Sequence, residues 1–186
     1  MNRVYETERL RLVVVDSTYA SRILKFYQEN ESFLERWEQV KQPDFYTINH
    51  QRRILNLEEQ FFMKGQMVRF WMFKKEDESN DEPIGSVSLT NIIRGVFQSC
   101  FLGYKLGERF TGAGYMTEAI SKVMEVAFNE MELHRVEANI MPVNTKSMNV
   151  VKRLGFENEG LARKYLKING KWEDHYHMVK LNEYMI

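Results

Sequence analysis

The stretch Leu106-Gly-Glu-Arg-Phe-Thr-Gly-Ala-Gly-Tyr-Met-Thr-Glu118 follows a segment that alternates like a β-strand and precedes one with helical periodicity. Gly112 and Gly114 leave the backbone of this turn without side chains. The first N–H groups of the predicted helix, at about residues 114–117, have no acceptor within the helix and lie at the positive end of its dipole. The stretch therefore predicts an anion cradle that suits a pyrophosphate.

Two common phosphate motifs fit this turn poorly. A Walker A loop ends in Gly-Lys-Ser/Thr, whereas Gly114 is followed by Tyr115 and Met116. A dinucleotide fingerprint needs a further glycine where this chain has Thr117. ATP and NAD are thus disfavoured as ligands, and a tight turn with a purely structural role stays an alternative.

Periodicity outside the stretch predicts a mixed α/β sheet. The early chain gives a strand over residues 9–15, helices that include one over residues 32–40, and three more strands. The later chain gives a helix, a strand, a helix and a hairpin around Asn169-Gly170, a dipeptide typical of tight β-turns. This order predicts an antiparallel front with one parallel βαβ step in the middle.

Composition limits the class of protein. The 186 residues are 44% hydrophobic, enough for the core of one domain over residues 1–186. The 26 basic and 26 acidic side chains give zero formal net charge, so neither nucleic acid nor a membrane is expected as a partner. The single cysteine, Cys100, excludes an internal disulfide, and the chain shows no signal-peptide pattern. We expect a cytoplasmic protein without a metal site.

Several motifs resemble the GNAT acyltransferases, and among them the ribosomal-protein-alanine N-acetyltransferases of the RimJ/RimL type. The resemblance covers almost the whole chain. The motifs that carry it are Glu6-Thr-Glu-Arg-Leu-Arg-Leu12, Gly112-Ala-Gly-Tyr-Met-Thr-Glu-Ala119, His134-Arg-Val-Glu-Ala138, Asn144-Thr-Lys-Ser147 and Leu154-Gly-Phe-Glu-Asn-Glu-Gly160. It implies the GNAT fold, an α/β (α+β) architecture whose sheet of about 6–7 strands has a V-shaped splay between two central parallel strands.

The resemblance also implies acetyl-CoA as the cosubstrate. Its pyrophosphate would lie on the glycine turn, and its pantetheine arm beside the preceding strand. When the family's loop pattern is aligned on Gly114, its first position falls on Thr111 and a cation is missing there, so Arg109 is the candidate to replace it. The cofactor-binding residues expected in this way are Tyr104, Lys105, Leu106, Arg109, Thr111, Gly112, Ala113, Gly114, Tyr115, Met116, Thr117, Asn144, Lys146 and Ser147.

Three residues are candidates for proton transfer. Ser147 is predicted to protonate the departing thiolate, with capping of the next helix as its alternative. Tyr165 is a rival acid, because a phenol has a pKa of about 10; the alternative is an ordinary core tyrosine. Glu137 is the candidate base for the amine, with a structural ion pair as its alternative.

The predicted activity is acetyl transfer from acetyl-CoA to a primary amine, by direct attack in a ternary complex. The expected acceptor is a protein N-terminus, whose α-amine has a pKa of about 7.7–8.0 and is partly neutral at pH 7. Acetylation of a small amine, such as a polyamine, amino sugar or amino acid, is the near alternative. A non-catalytic CoA-binding module and a nucleotide-binding regulatory domain are alternatives of other classes, and a homodimer is among the expected assemblies.

Overall fold

The computed structural model describes residues 1–183. One mixed sheet of eight strands forms its centre, in the order β1-β2-β3-β4-β5-β6-β8-β7. The strands are β1 (Val4–Glu6), β2 (Leu10–Val13), β3 (Val68–Lys74), β4 (Gly85–Ile93), β5 (Ser99–Leu106), β6 (Arg135–Ile140), β7 (Glu157–Ile168) and β8 (Lys171–Leu181).

Five α-helices cover the two faces of this sheet: α1 (Ala20–Glu29), α2 (Glu31–Leu34), α3 (Ile48–Met63), α4 (Tyr115–Glu125) and α5 (Thr145–Arg153). A π-helical turn, Val126–Glu130, extends α4. Thr47 caps α3 by accepting the N–H of His50, which satisfies one of the free amides of the first turn. No helix among residues 1–183 has the length and apolar character needed to span a bilayer.

The parallel step creates the feature that positions the site. Every neighbouring pair of strands is antiparallel except β5 and β6. These two strands pair only from Ser99↔Arg135 to Phe101↔Glu137, although β5 continues to Leu106 and β6 to Ile140. The two strands therefore part beyond Phe101, and the expected V-shaped splay is present.

Two apolar layers hold the sheet in place. Phe70 and Met72 of β3 belong to the cluster that includes α4, whereas Trp71 and Phe73 belong to the cluster that includes α1. Successive side chains of a strand point to opposite faces, so β3 is buried on both sides and reads as a continuous apolar run.

The sheet has one strand more than the upper end of the expected range. The additional strand is β1, which has three residues and pairs with β2 from Val4↔Val13 to Glu6↔Arg11. Three residues are too short a stretch for alternation to be recognised in the sequence. The helix expected over residues 32–40 is also shorter, because α2 ends at Leu34 and a 3₁₀ turn, Glu35–Trp37, follows it.

Candidate active site

The glycine turn lies between β5 and α4. A 3₁₀ turn, Glu108–Phe110, leads into it, and both Gly112 and Gly114 adopt φ of 83°. That conformation is strained for any residue with a Cβ. A Cβ at Gly112 would meet nothing within 4 Å, so this glycine is required by its backbone angle rather than by lack of space.

The amides at the start of α4 point out of the helix without helical acceptors. The first helical hydrogen bond runs from the N–H of Glu118 to the carbonyl of Gly114 (3.1 Å), and no side chain caps the helix. The N–H groups of residues 115–117 are therefore available to an external anion. Met116 is buried in the core, so it can offer a ligand only its backbone.

Arg9, at the start of β2, holds this turn. Its Nε donates to Glu118 (2.7 Å), its Nη1 donates to the carbonyl of Ala113 (2.9 Å), and its guanidinium lies 4.6 Å from the ring centre of Tyr115. Burial raises the pKa of Glu118, but the hydrogen bonds from Thr7 and Arg9 lower it by more, so the pKa of Glu118 lies below its usual value. Sequence reasoning missed this role, because Arg9 and Ala113 are far apart in the chain.

The predicted cations take other partners. Arg109 forms an ion pair with Glu82 and lies over the ring of Phe110. Lys105 projects from β5 toward Glu38, with which it forms an ion pair. Lys146 is exposed in the first turn of α5. Thr111 donates its hydroxyl to the carbonyl of Glu108 (2.9 Å) within the turn.

A cavity of about 170 Å³ lies in the opening between β5 and β6, and we call it the splay cavity. Its lining includes Tyr104, Asn144 and Ser147, which sequence reasoning had assigned to the cofactor, together with several residues that it missed. The full lining is Trp37, Leu102, Gly103, Tyr104, Ala138, Asn139, Ile140, Met141, Asn144, Ser147 and His175.

Ser147 and Tyr104 form a hydroxyl pair in this cavity. Ser147 Oγ donates to Tyr104 Oη (2.8 Å), and Tyr104 Oη donates to the carbonyl of Ser147 (3.0 Å). Burial raises the pKa of Tyr104 to about 12. The cap of α5 is Asn144, which accepts the N–H of Ser147 (3.2 Å). The Ser147 hydroxyl is thus not used for capping and is part of the cavity wall.

Glu137 lies in a hydrogen-bonded network on β6, at the point where β5 and β6 begin to part. Its Oε1 accepts from His177 Nδ1 (2.5 Å) and its Oε2 from Arg135 (2.9 Å), which also binds Glu159. Burial raises the pKa of Glu137, but the hydrogen bonds from His177 and Arg135 outweigh it, so that the pKa lies below its ordinary value. Glu137 is not among the residues that line the splay cavity.

Tyr165 on β7 packs against two histidines rather than against the hydroxyl pair. Its ring centre lies 4.9 Å from that of His177 and 6.0 Å from that of His175. Burial and the nearby Glu137 raise its pKa. Cys100 is buried, and burial raises its thiol pKa to about 12, as fits a small core residue rather than a nucleophile.

A second, larger cavity of about 330 Å³ is lined by residues of the early helices and the β7–β8 turn, and we call it the acidic cavity. Glu31, Glu35 and Glu38 lie in its wall, as do Tyr27, Leu34, Gln39, Val40, Lys41, Gln42, Pro43, Tyr46 and Asn169. Consecutive residues line the two cavities, since Trp37 lines the splay cavity and Glu38 the acidic cavity.

Comparison with known proteins identifies the family. Residues 9–157 match the family described as acetyltransferase (GNAT) domain. The chain is 41% identical over 90% of its length to a probable N-acetyltransferase, YjcK, of Bacillus subtilis, covering 91% of that protein. It is 37% identical over 91% of its length to the [ribosomal protein uS5]-alanine N-acetyltransferase of Escherichia coli, covering 86% of that protein.

Two solved structures share the fold over nearly the whole chain. The ribosomal-protein-S5-alanine acetyltransferase from Vibrio fischeri has a TM-score of 0.92 and 31% identity, with all of both chains covered. The RimJ of Mycobacterium smegmatis in complex with CoA-disulfide has a TM-score of 0.89 and 26% identity, covering 97% of this chain and 87% of that one. The chain therefore belongs to the GNAT family of N-acetyltransferases.

Proposed function

We propose that this enzyme transfers the acetyl group of acetyl-CoA to the α-amino group of a protein, of the ribosomal-protein type, by direct attack in a ternary complex. One observation carries the proposal: free amides at the start of α4 lie on the strand–turn–helix unit whose strand also forms one wall of the splay cavity. Such amides bind a pyrophosphate, and a splayed sheet leaves room for an extended arm. A relative of 37% identity is named for alanine acetylation of ribosomal protein uS5.

In this proposal the cosubstrate contacts the residues expected from sequence. The pyrophosphate lies on the backbone of Gly112, Ala113, Gly114, Tyr115, Met116 and Thr117, with Thr111 and Arg109 beside it. The pantetheine arm follows Tyr104, Lys105 and Leu106, of which Lys105 offers its backbone because its side chain binds Glu38. Asn144, Lys146 and Ser147 lie at the other strand of the splay. The neighbouring structure solved with CoA-disulfide supports a CoA ligand.

The hydroxyl pair suits the departing thiolate. When the C–S bond of the tetrahedral intermediate breaks, its electrons leave on sulfur, and the pair of Ser147 and Tyr104 can supply a proton there. The proposal therefore keeps Ser147 as the proton donor. In this proposal, Tyr165 and Glu137 have supporting roles, because both contact the ring of His177.

The acidic cavity favours a second candidate acceptor. Glu38 is already paired with Lys105 and Lys41, so Glu31 and Glu35 supply the negative charge that would attract a cationic ligand, and a cavity of about 330 Å³ can hold a small amine. Acetylation of a small cationic amine by the same site is therefore the second candidate. Action on ribosomal proteins would place the enzyme in the cytoplasm, and the single domain over residues 1–186 and the homodimer stay predictions.

A thiol-release assay tests the proposal. Acetyl-CoA is offered with a panel of peptides that begin with Ala, Ser or Met, the same peptides with a blocked N-terminus, and spermidine, glucosamine and free amino acids. We expect release only with open N-termini. Release with a small amine alone would assign the second candidate, binding of CoA without any release would indicate a CoA-binding module, and binding of NAD or ATP instead would indicate a nucleotide-binding domain.

A further inference from the structure

His175 lines the splay cavity and has an unused hydrogen-bond acceptor on its ring. It lies on β8, is 2% exposed, and forms part of the cavity wall. Its Nδ1 is 3.0 Å from the carbonyl oxygen of Glu173. Because a carbonyl only accepts, Nδ1 must carry the hydrogen, so the lone pair of the neutral ring is on Nε2. Among residues 1–183, the His175 side chain makes no hydrogen bond other than this one.

Asn139 provides a second acceptor in the same cavity. Its Oδ1 is buried and has no hydrogen-bond partner within residues 1–183. Asn139 pairs with His177 in the β6–β8 ladder, and His175 is two residues from His177, so all three side chains project from one face of the sheet. A buried oxygen without a partner costs free energy unless a ligand satisfies it. The splay cavity thus contains two acceptors that are complementary to a donor-rich group.

We propose that Asn139 and His175 hold the acceptor amine, and that His175 Nε2 is the base that removes its proton. This inference rests on the proposed acetyl transfer and names residues for it. A neutral primary amine has two hydrogens to donate, and two acceptors in one cavity fix its orientation. With its hydrogens directed to Asn139 and His175, the nitrogen lone pair is left for the thioester.

The acetyl group is then transferred through a tetrahedral intermediate. The nitrogen lone pair forms the N–C bond, and the carbonyl electrons move to oxygen. His175 Nε2 takes one proton from that nitrogen. The oxygen electrons reform the carbonyl, the C–S bond breaks, and the thiolate takes a proton from the hydroxyl pair of Ser147 and Tyr104. Solvent returns a proton to the pair and accepts one from the imidazolium, so the net change moves one proton from nitrogen to sulfur.

Glu137 is less suited to this task. Both of its oxygens already accept hydrogen bonds, from His177 and Arg135, and it lies outside the cavity lining. The titratable groups around His175 are Tyr165 from β7, Tyr104 from β5, and the Glu137–His177 pair from β6 and β8. Among these groups, His175 combines a free lone pair with a place in the cavity wall.

Steady-state kinetics of three variants test the base, on whichever amine of the panel the wild-type enzyme acetylates. His175→Gln keeps a polar group of similar reach that cannot take a proton, and we expect kcat to fall about 100-fold, at the low end of general-base contributions. The KM for acetyl-CoA should stay within about twofold, because uniform cosubstrate binding is not affected. His175→Ala should be rescued in part by added imidazole, which a structural defect would not show. His134→Gln, in an exposed turn outside the cavity, is the matched control.

The two acceptors can be separated. Asn139→Leu should raise the KM for the amine about tenfold and leave the KM for acetyl-CoA unchanged. In the protein saturated with CoA, ¹⁵N NMR should show His175 as the Nδ1–H tautomer. An Nε2–H tautomer, or a His175→Gln variant with the kcat of the wild type, would overturn the proposal while leaving acetyl transfer intact. If the wild-type enzyme releases no thiol with any amine, the proposed function itself fails.

Discussion

At the scale of single residues, the hydroxyl pair in the splay cavity is the proposed proton donor to the sulfur of acetyl-CoA. Ser147→Ala removes the donor to Tyr104 Oη but leaves the cap of α5, because Asn144 uses the backbone N–H at this position. We expect kcat to fall about 10- to 100-fold with little change in stability. Thiol release and urea unfolding measure the two effects. Thr47→Ala, which removes the cap of α3 away from the splay cavity, is the converse control and should lower stability by about 1 kcal/mol.

Glu137 offers a second test at this scale. Because its carboxylate is held by His177 and Arg135, Glu137→Gln should lower kcat less than about fivefold and leave the shape of its pH profile unchanged. The measurement is kcat from pH 6 to pH 9. A large rate loss that shrinks as the pH rises would instead make Glu137 the base, because the amine needs less help once it is neutral.

Whether a site residue could be predicted from sequence depended on how far away its partners lie in the chain. The glycine turn has a local signal, and Asn144 and Ser147 are three residues apart in one helix start. Asn139 and His175 share a cavity only through the pairing of β6 with β8, a contact that a linear pattern does not encode. Likewise, the hydrogen bond between Glu137 and His177 could be identified only from the pairing of β6 with β8.

At the scale of elements, the start of α4 is the unit proposed to bind the pyrophosphate. Gly114→Asp places a carboxylate where the pyrophosphate is proposed to lie, and we expect CoA binding to be lost. Gly114→Asn separates charge from backbone strain, because Asn has the same shape, is neutral, and tolerates a φ of 83° better than most residues. Calorimetric titration with CoA should give a Kd at least about 30-fold weaker for Asp than for Asn. Equal affinities would mean that the anion lies elsewhere.

Element boundaries were less predictable than element order. The parallel step, the hairpin at Asn169-Gly170 and the long helix after the glycine turn were expected from periodicity. The expected helix over residues 32–40 ended early, because the chain turns there to bring Trp37 and Glu38 to the two cavities. That ending is set by tertiary contacts, and these override local preference.

At the scale of the whole molecule, Glu38 joins three distant parts of the chain. Its carboxylate pairs with Lys105 of β5, and its carbonyl accepts the N–H of Asn169 from the β7–β8 hairpin (2.8 Å). Burial raises its pKa, but Lys105 and Lys41 outweigh this effect, so the pKa is lower than usual. A carboxyl group with a lowered pKa stabilises the fold above its unfolded pKa of about 4.3, and the stabilisation is lost as the pH falls through the lower folded pKa.

Replacing this carboxylate should therefore have a pH-dependent effect on stability. Glu38→Gln leaves Lys105 without its counter-charge, and we expect the free energy of unfolding at pH 7 to fall by about 3 kcal/mol. The difference from the wild type should shrink as the pH is lowered below about 4. Urea unfolding at both pH values measures it, with the exposed Glu35→Gln as control. A deficit that stays constant down to pH 3 would show that the charge is not the cause.

Arg9 links the glycine turn to the N-terminal strands, through its hydrogen bonds to Glu118 and Ala113. Thr7 and Arg9 donate hydrogen bonds to Glu118 across more than a hundred residues, so docking of the N-terminal strands and the shape of the turn stabilise each other. A ligand that binds the turn only in this conformation also stabilises the docked N-terminal strands, because it favours the state in which both are formed. Cosubstrate saturation should thus slow amide hydrogen exchange in β1 and β2, at the edge of the sheet opposite the β7–β8 hairpin.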